Sequence, residues 1–323
     1  MPENVLKRAI FRQLHTKRKE VLVGASVGED CAVVQLAPDE VFVLSTDPIT
    51  GTTKEMGRLA VVVTANDLAS AGAEPVGILL TVLLPPGTEE ALIRQLMQEV
   101  EQTCGELHIQ AMGGHTEITA AVNQPLISVT GVGKVKKGEL VTTGGARAGD
   151  DVVVSKWVGI EGTAIIAGEK EAELLKRFPR TFVEAAKGFD KLLCVVPEAA
   201  TAVKSGVSAM HDVTEGGIYG ALWELAEASG IGLEIDLKAI PIRQETVEIC
   251  EYYRLNPYQL ISSGCMLMTS PDGPKLVREL KKAGIPAALI GRCVEGKAKK
   301  IRNGEEEACL ERPKTDELYK IYS

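Results

Sequence analysis

Five carboxylates stand where apolar runs give way to turns: Asp30 in SVGED, Asp47 in VLSTD, Asp67 in TANDLASAG, Glu117 in GGHTEIT and Asp212 in MHDVTEGG. Hard cations such as Mg2+ take carboxylate oxygens and share them with substrate phosphates. Carboxylates drawn from separate loops could therefore hold a metal-bound phosphate. Each one alone could equally be a helix cap or a turn residue. His115 stands between Gly113-Gly114 and Thr116-Glu117 in AMGGHTEIT, a stretch that reads either as a plain turn or as part of a site.

Other motifs carry less. The run Ala69-Ser70-Ala71-Gly72-Ala73 fits a helix end capped by Gly72, or a close backbone approach to a ligand. A helix starting at Gly216-Gly217 offers free N–H groups that could bind a phosphate, or an ordinary start capped by Thr214. His211 is expected to be a hydrogen-bonded ring without a catalytic role. GASVG at 24–28 matches the nucleophile elbow, but the EDCAVVQL that follows reads as strand where that motif needs a helix. Around Gly133-Lys134 the Walker A pattern fails at Ser128 and Val135, and no G-x-G-x-x-G opens a helix.

These residues need a scaffold. The 323 residues suit two domains. A net charge of −8 argues against broad nucleic-acid binding, and KVKKGE reads as a solvated turn. Seven scattered cysteines without a C-x-x-C predict neither a zinc ribbon nor a disulfide framework, and fit a reducing cytoplasm. The longest apolar stretch, VGILLTVLL, is too short to span a bilayer, and no signal peptide is expected.

Periodicity predicts helices over 4–14, 54–71, 88–106 (opened by Thr88), 162–178, 181–193, 216–229 and 274–283. Strands are expected on both sides of the 24–28 loop and in EVFVLSTD, VGILLTVLL, HIQAM, PLISVTGVGKV, VVVSKWVG, SAMHD, IGLEIDL, CMLMTS and AALIGRC. Strands and helices recur in both halves, which predicts an α/β or α+β class. TTGGARAGDD at 142–151 is the linker candidate, giving domains 1–146 and 147–323.

SVGEDCAVV, STDPIT, TANDLASAGAEP, GGHTEIT, GARAGDDVVVS and MHDVTEGGIYGALWELAEASGIGLEID occur in that order over roughly residues 21–293. Together they resemble the AIR-synthase-like ATP-binding superfamily. Its members include aminoimidazole ribonucleotide synthase, thiamine-monophosphate kinase, selenophosphate synthetase and the hydrogenase-maturation factor HypE. The second half, with AIPIRQETVEICEYYRLNPYQLISSG, is most similar to HypE.

The resemblance implies a two-domain homodimer whose N-terminal halves pair in a shared β-barrel, with ATP and Mg2+ as cofactors. It implies transfer of the γ-phosphoryl group to an oxygen, often an amide or carbonyl oxygen. Carried over by position, Asp30, Asp47, Asp67 and Glu117 would serve the metal. Gly28, Asp30, Asp67, Gly113, Gly114 and Thr116 would contact the nucleotide, with a Gly113-Gly114 turn against it. Asp47, His115 and Asp212 would be catalytic. The family commonly has an acidic residue where His115 stands. A neutral imidazole suits softer metals than Mg2+, so His115 would act as a base or phosphate donor, with Glu117 recovering the carboxylate role. HypE carries its carbamoyl group on a final cysteine. This chain ends DELYKIYS, and its last cysteine, Cys309, lies fourteen residues earlier. The expected activity is HypE-like, on an unnamed acceptor. The alternatives are a small-molecule kinase similar to thiamine-monophosphate kinase, or an ATP-binding protein without catalysis.

Overall fold

A computed structural model describes residues 8–25, 32–49 and 55–322. Gly28 and Asp30, with the SVGED stretch around them, lie outside the described residues. Internal contacts divide the chain into two compact units, Met1–Ala69 with Ala73–Leu140, and Ser70–Gly72 with Val141–Ser323.

In the N-terminal unit a short antiparallel pair, β1 (Val21–Val23) and β2 (Val33–Val34), accompanies a four-stranded sheet. The sheet contains β3 (Glu40–Ile49), β4 (Glu74–Leu84), β5 (Gln110–Ile118) and β6 (Leu126–Lys136), in the order β3-β6-β4-β5. β6 is antiparallel to both of its neighbours, and β4 and β5 are parallel. Parallel strands need a crossover, and helix α1 (Met56–Ser70) joins β3 to β4 while α2 (Glu90–Leu107) joins β4 to β5.

α2 buries Ile93, Leu96, Met97, Val100 and Cys104, the apolar stripe of an amphipathic helix. Thr88 does not open it: the Thr88 hydroxyl donates to the Pro85 carbonyl at 2.7 Å, and the helix begins at Glu90. α1 carries three consecutive valines, poor helix formers, and is held by packing: Ala60, Val61, Thr64, Ala65 and Leu68 are all buried. The sheet face towards the helices presents Ile78, Leu80, Val82, Ile127 and Val129, all buried. The opposite face leaves Leu44 65% and Phe42 49% exposed.

The entry to this sheet is clamped by charge. Glu20 accepts from Arg18 at 3.0 Å and from Lys134 at 2.6 Å, and Arg18 also reaches Glu74 at 2.6 Å. These bonds tie the segment before β1 to β4 and β6. The Arg18 guanidinium, helped by Lys134 against the cost of burial, lowers the Glu20 pKa from 4.5 to about 2. A depressed carboxylate stabilises the fold above its unfolded-state pKa, and that contribution disappears as pH falls through the folded-state value. Thermal unfolding followed between pH 4.5 and about 2 should therefore show Glu20→Gln less stable than wild type at neutral pH and flatter across that window.

The C-terminal unit is a seven-stranded sheet containing β7 (Asp151–Ser155), β8 (Ala209–Val213), β9 (Gly232–Asp236), β10 (Cys265–Ser270), β11 (Ala287–Val294), β12 (Lys299–Asn303) and β13 (Glu306–Cys309). Its order is β13-β12-β9-β11-β7-β10-β8, antiparallel except for β12 on β9. The helices are α3 (Ile160–Glu169), α4 (Glu171–Leu174), α5 (Arg180–Lys187), α6 (Val196–Ser205), α7 (Gly217–Ser229), α8 (Gln244–Tyr253) and α9 (Gly273–Lys282). α7 packs Ile218, Ala221, Leu222 and Leu225 with Val152, Val154, Leu267 and Ile290 of the sheet. A second cluster joins α3, α5 and α8, with Leu318 and Ile321 of a short C-terminal turn packed against it. The mixed α/β architecture is the class expected from the sequence.

One buried ion pair lies in this unit. Lys156, at φ 51°, follows β7 directly. Its ammonium donates to the carbonyls of Leu192 (2.7 Å) and Cys194 (2.6 Å) and stands 2.7 Å from Glu198 Oε1. Glu198 is 1% exposed.

Candidate functional site

The candidate site grows from β3. Side chains alternate along a strand, so Ser45 and Asp47 share the face that α1 covers, while Leu44 and Thr46 take the open face. Ser45 pairs with Gly131 of β6. A methyl group built at Gly131 would run into Thr64 Cγ2 of α1 and stand 3.0 Å from Leu68 Cδ1. The missing side chain is what lets α1 lie this close to the sheet. Asp67, next to Leu68 on α1, is thereby brought to Ser45. The Ser45 hydroxyl donates to Asp67 Oδ2 in a short bond and lies 3.3 Å from Asp47 Oδ2.

Two carboxylates 20 residues apart in sequence thus meet at one hydroxyl. A hydroxyl has a single proton, so it can fully satisfy only one of them at a time. Asp67 also stands in the last turn of α1, where the helix dipole disfavours negative charge. An arrangement that concentrates anionic oxygens in this way is suited to a cation. Mg2+ is commonly held by one or two carboxylates plus substrate phosphates, so the oxygen donors fit it.

The other expected site residues are placed differently. The GGHTEI stretch is not a turn: Gly113–Ile118 belong to β5, parallel to β4, with an irregularity in register beside Met112. Gly114 has φ 148°, and a side chain there would strike the Leu80 backbone of β4. Its glycine is needed for strand pairing. Gly113, His115 and Glu117 pair with Leu79, Thr81 and Leu83 and face the open side of the sheet. Asp47, paired through Val129 and Leu80 with Gly114, faces the helices. Glu117 therefore does not join Asp47 and Asp67 within this unit, because strand alternation sends it to the other face. His115 has Glu117 as its partner, 3.5 Å away, with both side chains well exposed. Thr116 is half-buried on the helix side. Among the described residues no three His, Cys, Asp or Glu side chains are grouped to hold a metal.

Asp212 belongs to the C-terminal unit. It lies on β8 opposite Met266 and is 9% exposed. His211, its neighbour on the α7 side, is part-exposed and hydrogen-bonded to Glu224 at 2.9 Å. The α7 start is not an open anion site. Gly216 N–H donates to Asp316 Oδ2 at 2.7 Å, and Asp316 Oδ1 accepts from Ile261 N–H (3.2 Å) and Leu318 N–H (2.8 Å). Burial raises the Asp316 pKa against the pull of these three donors. The chain supplies its own carboxylate there, in place of a Thr214 cap or a bound phosphate.

Sequence reasoning missed Ser45. The signal was present: in a strand, a hydroxyl two residues before Asp47 must share its face.

Residues 28–135 match the family described as AIR synthase related protein, N-terminal domain, and residues 147–303 match its C-terminal domain. The chain is 30% identical over 272 residues to the selenide, water dikinase of Porphyromonas gingivalis, covering 82% of this chain and 72% of that protein. It is 27% identical over 254 residues to the carbamoyl dehydratase HypE of Rhodobacter capsulatus, covering 77% and 72%. Its fold is similar to that of a hydrogenase maturation protein HypE solved in complex with ATP, with TM-score 0.81 at 18% identity over 98% of this chain and 95% of that one.

Proposed function

The chain belongs to the AIR synthase related protein family, and from that premise we propose that it is an ATP-dependent enzyme that moves the γ-phosphoryl group of ATP to an oxygen of a small-molecule or carbonyl acceptor. Relatives named carbamoyl dehydratase and selenide, water dikinase, and a fold-mate bound to ATP, support this reading. The observation that carries it is the meeting of Asp47 and Asp67 at Ser45.

Phosphoryl transfer asks a protein mainly for positioning and charge neutralisation. Asp47 and Asp67 would hold a Mg2+ ion at this place, which would supply charge neutralisation to the transferred phosphoryl group. Asp47 and Asp67 supply the oxygen ligands, from a strand and a helix rather than a mobile loop. Asp30 is expected to contribute a further carboxylate. We assign ATP binding to the N-terminal domain, residues 1–146, with residues 147–323 as the C-terminal domain. The open face of the N-terminal sheet, with Leu44 and Phe42 exposed and β3 at its edge, is the surface we assign to a second copy. His115 and Glu117 lie on that face and would meet the partner's sheet.

The test is acceptor-stimulated release of ADP from Mg2+-ATP. For any acceptor that stimulates it, 18O placed in the acceptor's reacting oxygen should appear in the released phosphate. Label retained in a phosphorylated product instead identifies a kinase. ATP binding without ADP release under any acceptor identifies a non-catalytic binder and ends the proposal.

A further inference from the structure

The buried surroundings of the Lys156 ammonium are built from oxygen. β7 ends at Ser155, and Lys156 takes the left-handed conformation, which a lysine adopts only where its surroundings hold it there. Its side chain ends at the Leu192 carbonyl (2.7 Å), the Cys194 carbonyl (2.6 Å) and Glu198 Oε1 (2.7 Å). An ammonium has three protons, so each oxygen receives one. The other carboxylate oxygen, Glu198 Oε2, is buried without a hydrogen-bond partner among the described residues. Leu192 closes a short helical turn (Gly188–Leu192) and Glu198 lies in the first turn of α6, so local structure places both. The Leu192 carbonyl is also fenced by Gly264, where a Cβ would stand 2.5 Å from it.

Backbone carbonyls replace the hydration shell of potassium in the way that they satisfy an ammonium. The cage carries one negative charge, which balances one monovalent cation. Mg2+ asks for octahedral geometry with retained waters, and Ca2+ for about six to eight oxygens, so these buried oxygens suit neither. We propose that the oxygen cage at the end of β7 is a binding site for a monovalent cation of potassium or ammonium size, occupied in this chain by the tethered ammonium of Lys156. Residue 156 then decides whether the C-terminal unit is independent of salt or holds a free ion. A plain ion pair behaves differently: once Lys156 is gone, the charge left on Glu198 responds to ionic strength and not to which cation supplies it.

The experiment uses Lys156→Gly, because glycine accepts the left-handed backbone and vacates the space of the stem. Melting temperatures of the full chain are measured in KCl, NH4Cl, NaCl and LiCl at one ionic strength, for wild type, Lys156→Gly and Lys156→Gly with Glu198→Gln. The expected result is that Lys156→Gly melts roughly 3–6 °C higher in KCl or NH4Cl than in LiCl once the ion is about tenfold above its dissociation constant. Wild type, with its cage filled, and the double variant, with its cage uncharged, should show no such preference. Equal melting of Lys156→Gly in every salt overturns the proposal. A preference of the same size in wild type or in the double variant places the ion elsewhere and overturns it as well. If Lys156→Gly is unfolded in LiCl, folding on transfer to KCl supports the site, and failure to fold in any of the salts overturns it.

Discussion

Asp47→Asn and Asp67→Asn should each lower ATP turnover by roughly 100-fold or more, the loss of about 3 kcal/mol of charge stabilisation in the transition state. Asparagine keeps the size and one oxygen acceptor but removes the charge, so packing at the α1–β3 seam is unchanged. Stability should move the other way. Both carboxylates lie on the Ser45 hydroxyl, whose one proton serves one of them at a time, so neutralising one relieves repulsion between them. Each variant should therefore melt at the wild-type temperature or above it when measured without metal. Adding Mg2+ and an ATP analogue should raise the melting temperature of wild type and have much less effect on either variant. Opposite signs for activity and metal-free stability are the mark of a functional site whose local rules were broken for a purpose. Variants that lose turnover only because they unfold would lose both together.

The second large effect concerns folding of the C-terminal unit. Lys156→Met should cost about 3–5 kcal/mol, because it leaves Glu198 buried without its cation. It also strips the donor from the carbonyls of Leu192 and Cys194. Burial already raises the Glu198 pKa, and Lys156 is the main group pulling it back. A raised carboxylate contributes stability below its unfolded-state pKa and loses it as pH rises through the folded-state value. Removing Lys156 raises the folded value further, so the damage should grow with pH above the ordinary carboxylate range. Adding Glu198→Leu to Lys156→Met should recover part of the loss, and the two orphaned carbonyls should keep the recovery incomplete. Urea unfolding followed by tryptophan fluorescence reads this unit directly, since both tryptophans of the chain, Trp157 and Trp223, lie in it. Additive effects in the double variant would show that the two side chains are not coupled.

Parts of this molecule were readable from local pattern. α2 and α7 follow from their spaced apolar residues, and α7 stops at Gly230, which adopts the left-handed conformation expected of a terminating glycine. Asp47 and Asp67 could be picked out from strand-end and helix-end positions, but their meeting depends on Gly131, more than sixty residues further on. GGHTEI looked like a turn because paired glycines usually mark one. Only the fit of Gly114 against Leu80 explains why the stretch is a strand. α6 and α8 escaped notice: VPEAATAVKS is short and alanine-rich, and QETVEICEYY buries only Thr246, Ile249 and Cys250. The β12–β13 hairpin is charge-rich, with Ile301 its main buried residue, and the Asn303-Gly304 pair was its only strong cue. Lys156 with Glu198, and Gly216 with Asp316, are long-range pairings with no local signature.

The contact between Gly216 and Asp316 has a consequence for the order of events in a cell. The two residues are separated by 100 positions. Translation at about 5–20 residues per second leaves the first turn of α7 without its cap for roughly 5–20 s after it emerges from the ribosome. Throughout that interval α7 lacks its carboxylate partner, and for much of it also the β10 and β11 side chains that pack on it, so the helix can become fixed only late in synthesis.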